Sequence, residues 1–256
     1  MEKEFINDIS TVNYSKRVII DEPRNFEICA RLKKTTNARI CIGRAGDRFK
    51  TEALLKFRAD HAVAMDAVWS YVNEDIIDKL GFFKVQTLIE DKEQYIKRPD
   101  LGRRFSEETL NIIKNNCKNN VDVQIIAADG LSSHAINANL EDIYSIIMDG
   151  VEAKGYKVGT PIFVKYGRVA TMDKISEALN AKVTVLLVGE RPGLATGESM
   201  SSYMAYESST LKLESQRTVV SNIHKNGTPP VEAGAQIVHL IEVMMREKKS
   251  GVELKI

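Results

Sequence analysis

The sequence predicts an α/β protein, a mostly parallel sheet flanked by helices, on two observations. Short apolar runs of strand character alternate with amphipathic stretches of helical length along the second two thirds of the chain, the pattern of successive βαβ units. The intervening helices are also long enough to cover both faces of a mostly parallel sheet. Together they describe a Rossmann-like layer structure preceded by an N-terminal helical segment.

Residues 1–24 are polar and without sustained period, and read as an arm that is disordered or docks elsewhere. Residues 25–75 form the helical segment. Within it, Thr51 to Val72 reads as one long helix, because Leu54, Phe57, His61, Met65, Val68 and Val72 fall three or four apart and make an apolar stripe. That stripe requires a partner surface. Residues 76–256 are the α/β domain. "FFKVQTLI" reads as a strand, "KRPDLGRR" as a loop, and Ser106 followed by Glu107 and Glu108 as the start of a helix to Asn116. "VQIIAADG" then precedes a helix through "HAINANLEDIYSIIMDG", and "TPIFVKYGRVA" precedes "DKISEALN". "KVTVLLVGE" precedes a helix near "GESMSSYMAY", and "QRTVVSNI" precedes the helix of "PVEAGAQIVHLIEVMMREKK". The last has proline near its first turn, basic residues late and Gly251 beyond its end.

Composition excludes several classes. The 256 residues are 43% hydrophobic and 28% charged, and 36 Lys and Arg against 35 Asp and Glu leave a net charge of +1. Such a balance draws the molecule neither to nucleic acid nor to an anionic membrane. The scattered cysteines Cys29, Cys41 and Cys117 suggest free thiols in a reducing cytosol, and no run has the length of a membrane span. No GxGxxG follows a strand, and "GERPGLATGES" lacks the lysine of a phosphate loop. His61, His134, His224 and His239 are too dispersed for a local metal set.

What remains is a group of polar residues at strand ends: Asp129 of "AADG", Arg168 and Val169 of "YGRVA", Glu190 and Arg191 of "GERPG", and Val219 to Asn222 of "RTVVSN". In an open α/β sheet ligands bind outside the carboxyl ends of strands. A carboxylate such as Glu190 accepts from amide or hydroxyl donors, which suits an amide-bearing ligand and disfavours a polyphosphate. From the residues alone, other readings stay open: Glu190 and Arg191 as a charge pair at a helix start, Asp129 and Gly130 as a turn, His61 as a packed residue, Arg103 and Arg104 as a solvated loop. A stand-alone small-molecule enzyme using Glu190 or Asp129 as acid or base, or a non-catalytic interaction protein, also stays open.

At these residues the sequence resembles the light chains of ethanolamine ammonia-lyases. The resemblance lies in "IGRAGDRFKTEALLKFRADHAVAMDAV", "RPDLGRR", "VQIIAADGLSSHAINANL", "GTPIFVKYGRVATMD", "VLLVGERPGLATGESMSSYMAY" and "RTVVSNIHKNGTPPVEAGAQIV", in that order from about residue 38 onward. It implies the small subunit of an adenosylcobalamin-dependent lyase that converts ethanolamine to acetaldehyde and ammonia by radical chemistry. A heavy-chain TIM barrel supplies the catalytic side chains, and this chain helps hold the corrin within a hetero-oligomer. Residues 76–256 are then the cobalamin-binding domain and 25–75 the part that contacts the heavy chain, with His61 and Trp69 as interface candidates. The family's cobalamin contacts fall on Val169, Glu190 and Val219, the last a valine where cysteine occurs within the family. Arg168, Arg191 and Asp129 join them by strand-end position alone. The DxHxxG pattern by which a protein histidine displaces the cofactor's base is absent, "RADHAVA" having Asp and His adjacent, so base-on binding is implied. The resemblance leaves two locations open, the cytoplasm at large or a bacterial microcompartment.

Overall fold

A computed structural model describes Tyr14, residues 17–36 and residues 38–255. Most of the predicted arm, residues 1–13, 15 and 16, lies outside the described residues. Contacts divide the chain into two compact units, Met1–Asp66 with Gly193–Thr196, and Ala67–Pro192 with Gly197–Ile256.

The first unit holds little buried apolar area. Helix α1 (Phe26–Thr35) starts at Asn25, whose side chain accepts the Ile28 amide. A two-residue ribbon, β1 (Arg44–Ala45) and β2 (Arg48–Phe49), leads into α2 (Thr51–Trp69). The predicted long helix is therefore present, ending three residues before Val72. Its small residues Ala53 and Ala64 are buried, whereas Leu54, Phe57 and Met65 of the predicted stripe are exposed. His61 and Trp69 are exposed as well. Before α1, Arg17 pairs with Glu52 at 2.8 Å, and the Ile19 amide donates to Cys41 O at 3.0 Å. Arg39 pairs with Asp60 at 2.6 Å and donates to Leu194 O at 3.0 Å.

The second unit is the α/β layer. Its elements are α3 (Glu74–Lys79), β3 (Phe83–Gln86), α4 (Lys92–Lys97), α5 (Glu107–Asn116), β4 (Val123–Ala128), α6 (Ser133–Ala153), β5 (Ile162–Lys165), α7 (Thr171–Leu179), β6 (Val183–Gly189), β7 (Met200–Tyr206), β8 (Thr218–Ile223) and α8 (Pro230–Glu247). Ser106 caps α5 by accepting the Thr109 amide, as the acidic first turn suggested. The sheet order is β3-β5-β4-β6-β7-β8; the first four strands are parallel, and β7 and β8 run antiparallel. Helices α6 and α8 cover one face through Ile136, Leu140, Ile143, Ile237 and Ile241. Helices α5 and α7 cover the other through Ile113, Met172, Ile175 and Leu179.

One element is corrected. The segment near "GESMSSYMAY" is not a helix: Met200–Tyr206 is a strand hydrogen-bonded along the whole of β6, from Val183↔Tyr206 to Gly189↔Met200. Ser and Met carry only weak local preference, and pairing with a fully buried strand overrides it. Met200 and Met204 enter the α6/α8 core while Tyr203 and Ala205 meet the α5/α7 core, a period of two that the small residues conceal. Helix α4 also lies outside the sequence reading, in the segment before the "KRPDLGRR" loop.

Candidate functional site

Strand β4 leads to α6 on one face and its neighbour β5 leads to α7 on the other, so the topological switch point lies between the carboxyl ends of β4 and β5. The chain's own side chains fill it. Asp129, next after β4, is only 2% exposed, and its carboxylate accepts the Tyr166 amide at 2.9 Å and the Gly167 amide at 3.0 Å. The buried Lys92 Nζ stands 3.9 Å from the same carboxylate and 5.4 to 5.8 Å from the ring centroids of Tyr71, Tyr95 and Tyr166. Rings around a desolvated ammonium supply cation–π attraction where water is absent. Burial pushes the Asp129 carboxyl up, with Lys92 and the amides opposing it, and burial pushes the Lys92 amine down. Arg168 stacks its guanidinium 4.1 Å from the Tyr95 ring centroid and donates to Tyr95 O at 2.9 Å. Tyr95 in turn donates its hydroxyl to Gly167 O at 2.9 Å.

Beside this cluster lies a cavity of about 480 Å³, lined by residues that include Tyr71, Lys84, Gln86, Phe163 and Lys165, with Asp129 at its wall. An acid or base role for Asp129 there is poorly served, because both its oxygens already accept amides. Among the described residues no group of three or more His, Cys, Asp or Glu side chains is arranged to hold a metal.

The end of β6 is built differently. Gly189 permits a close backbone approach: a Cβ there would meet Ser132 O at 2.1 Å and Asp129 O at 2.6 Å. Glu190 follows, half-buried, its amide donating to Ser199 O at 2.9 Å across the hairpin. Its Oε2 accepts the Ser199 hydroxyl at 2.6 Å; its Oε1 accepts the Ser201 hydroxyl at 2.5 Å and the Asn222 amide at 2.9 Å. A carboxylate offers about four acceptor positions, so these three bonds orient the group and, among the described residues, leave one position, on Oε2, for a further donor.

Strand register assigns the neighbours. Ser201 pairs with Val188 and Tyr203 with Leu186, which belong to the α5/α7 core, and Val219 pairs with Tyr203. Tyr203 and Val169, just before α7, are half-buried against that same core, while Val219 is 46% exposed. Val169, Glu190 and Val219 thus belong to one side of the sheet, and Arg191 is exposed next to Glu190. Asp129 and Arg168 are drawn instead into the Lys92 and Tyr95 cluster. Ser199 and Ser201 escaped the sequence reading because the hairpin did; two serines spaced by two, beside a strand end, are the signal that a correct strand assignment exposes. Lys92 and Tyr95 left no sequence signal, since only the tertiary fold brings them to Asp129.

The family described as Ethanolamine ammonia-lyase light chain (EutC) matches residues 27–255. The chain is 72% identical over 230 residues to a protein of Clostridium acetobutylicum, covering 90% of this chain and 95% of that one. A Clostridium perfringens protein is 52% identical over 252 residues, with 98% and 85% covered. A Listeria monocytogenes protein is 49% identical over 250 residues, again with 98% and 85% covered. Each of the three is described as an ethanolamine ammonia-lyase small subunit. With its strands, hairpin and match running through nearly the whole length, the chain belongs to the ethanolamine ammonia-lyase light chain family.

Proposed function

We propose that the chain is the small subunit of an adenosylcobalamin-dependent ethanolamine ammonia-lyase, and that the β6–β8 end of its sheet holds the corrin. The observation that carries this reading is Glu190, a carboxylate fixed by three donors with one acceptor position left. The rim of a corrin carries acetamide and propionamide groups, whose N–H donors match that position. Val219 and Val169 supply apolar contact beside it, and a valine at 219 makes that contact by surface rather than by a thiol. Exposed Arg191 is within the same loop and suits the amide carbonyls. Arg168 and Asp129 act behind this surface, by fixing the turn after β5 on which Val169 stands.

When bound, adenosylcobalamin supplies the radical chemistry through its cobalt–carbon bond, and the protein supplies orientation and shielding. Substrate-binding catalytic side chains belong to the heavy chain. Base-on binding rests on the absent DxHxxG pattern, and His224 fits it, being paired through Nε2 with Asn222 Oδ1 at 2.9 Å while its Nδ1 accepts the Asn226 amide at 3.3 Å. The exposed Leu54, Phe57, Met65 and Trp69 of α2 suit a heavy-chain contact. Among the described residues no helix is long and apolar enough to cross a membrane.

The test is co-expression with an ethanolamine ammonia-lyase heavy chain, followed by deamination assays with and without adenosylcobalamin. Acetaldehyde formed only with both chains and the cofactor supports the reading; no association and no cofactor dependence with a competent heavy chain overturns it. In the cob(II)alamin state, nitrogen superhyperfine coupling from a protein histidine would remove the base-on part.

A further inference from the structure

The turn after β5 that carries Val169 and the start of β8 that carries Val219 are far apart in the chain, and a buried ion pair ties them together. Val169 O accepts the Met172 amide at 3.2 Å, which fixes its backbone to the first turn of α7. Asp173 stands in that turn and is buried. Its Oδ2 accepts from Arg217 Nη2 at 2.7 Å, and its Oδ1 accepts the Ser208 hydroxyl at 2.6 Å. The Arg217 and Asp173 side chains are only 9% and 6% exposed. Glu214, at the surface, reaches the other guanidinium nitrogen at 3.5 Å. Arg217 has extended backbone, φ −95° and ψ 130°, and precedes Val219 by two residues, so the two side chains leave the same side of the sheet. Val219 pairs with Tyr203, which packs on the α5/α7 core. One carboxylate thus gathers α7, the segment after β7 and the approach to β8.

We propose that Arg217 and Asp173 are positioning residues that set the spacing between Val169 and Val219, and through it the affinity for adenosylcobalamin; the inference rests on the corrin reading above. Neither side chain has to touch the cofactor. Desolvation offsets most of the attraction within a buried ion pair, so its net contribution to stability is small, whereas its short, directed bonds admit one arrangement of the segments it joins. An apolar pair of similar volume keeps the packing and gives up that arrangement.

The test combines Arg217→Met with Asp173→Leu in the chain co-expressed with its heavy chain, because either change alone strands a buried charge. Adenosylcobalamin Kd is measured by equilibrium dialysis, urea unfolding is followed on the same chain, and kcat is separated from the KM for cofactor and for ethanolamine. The double variant should unfold at or above the wild-type midpoint, bind adenosylcobalamin about fivefold more weakly and show the same rise in cofactor KM. Its kcat at saturating cofactor and its KM for ethanolamine should not move. Arg217→Lys keeps the charges but loses the planar fork, and should weaken binding about twofold; it decides the matter if the double variant does not fold. Ile241→Val, in the α6/α8 core on the other face, loses stability and should leave the Kd at the wild-type value. A Kd unchanged in the double variant, or in Arg217→Lys where the double variant does not fold, would overturn the proposal, as would a Kd raised equally by Ile241→Val. A wild-type complex that binds no adenosylcobalamin would instead overturn the corrin reading, and this inference with it.

Discussion

Asp129-Gly130 after β4 and Gly189-Glu190 at the end of β6 are alike in sequence, each a carboxylate beside a glycine at a strand end, and the fold treats them oppositely. Asp129 stands between parallel strands whose following loops diverge, and the crevice so formed is closed by Lys92, Tyr95 and Tyr166. Glu190 stands where the sheet turns antiparallel, and its hairpin partners are short hydroxyl side chains that orient it without covering it. The crevice that topology singles out for a ligand is thus largely filled by the chain's own side chains, with the cavity of about 480 Å³ beside it, whereas the surface proposed for the corrin lies at the antiparallel margin.

That contrast gives a ranking of effects. Asp129→Ala removes the acceptor of two buried amides and the counter-charge of a buried lysine, and should cost about 3–5 kcal/mol in urea unfolding. A cost no larger than that of Glu190→Ala would break the distinction. Gly189→Ala forces a Cβ against the Ser132 and Asp129 carbonyls and should cost about 1–3 kcal/mol, whereas Gly193→Ala, with open space around it, should be close to neutral by the same measurement. Glu190→Ala leaves hydroxyls that find water and should cost about 1 kcal/mol in stability. Its larger effect should be on cobalamin retained by the co-expressed complex after gel filtration, weakened about tenfold, equivalent to about 1.4 kcal/mol. Val219→Ala is the smallest: within about 0.5 kcal/mol in unfolding, with cofactor retention reduced less than by Glu190→Ala.

Much of the fold was legible because parallel strands buried on both faces are mostly apolar, and β4 and β6 are, apart from the buried Gln124 and Thr184. The cap at Ser106 and the proline at the start of α8 were legible for the same local reason, since a helix end must satisfy its own amides. Strand β7 was not, because its mixture of small and large residues, "MSSYMAY", carries no contrast between two buried faces. Of the site, Glu190 and the stretch Val219 to Asn222 were visible at strand ends, but the partners Ser199 and Ser201 were hidden with the hairpin that carries them. The stripe on α2 was found at the right spacing, and the residues turned toward the interior of its own unit are alanines instead.

The sequence by itself determined the layered α/β class, the run of elements from β4 through β6, and membership of the family, because period, caps and contiguous motifs are local properties. The tertiary structure alone decided that β7 reverses direction between β6 and β8, and that Lys92 enters the Asp129 crevice while the Glu190 carboxylate gathers its donors from the hairpin and from β8. Pairing, burial and the number of donors reaching one carboxylate depend on segments far apart in the chain, and no local spacing encodes them.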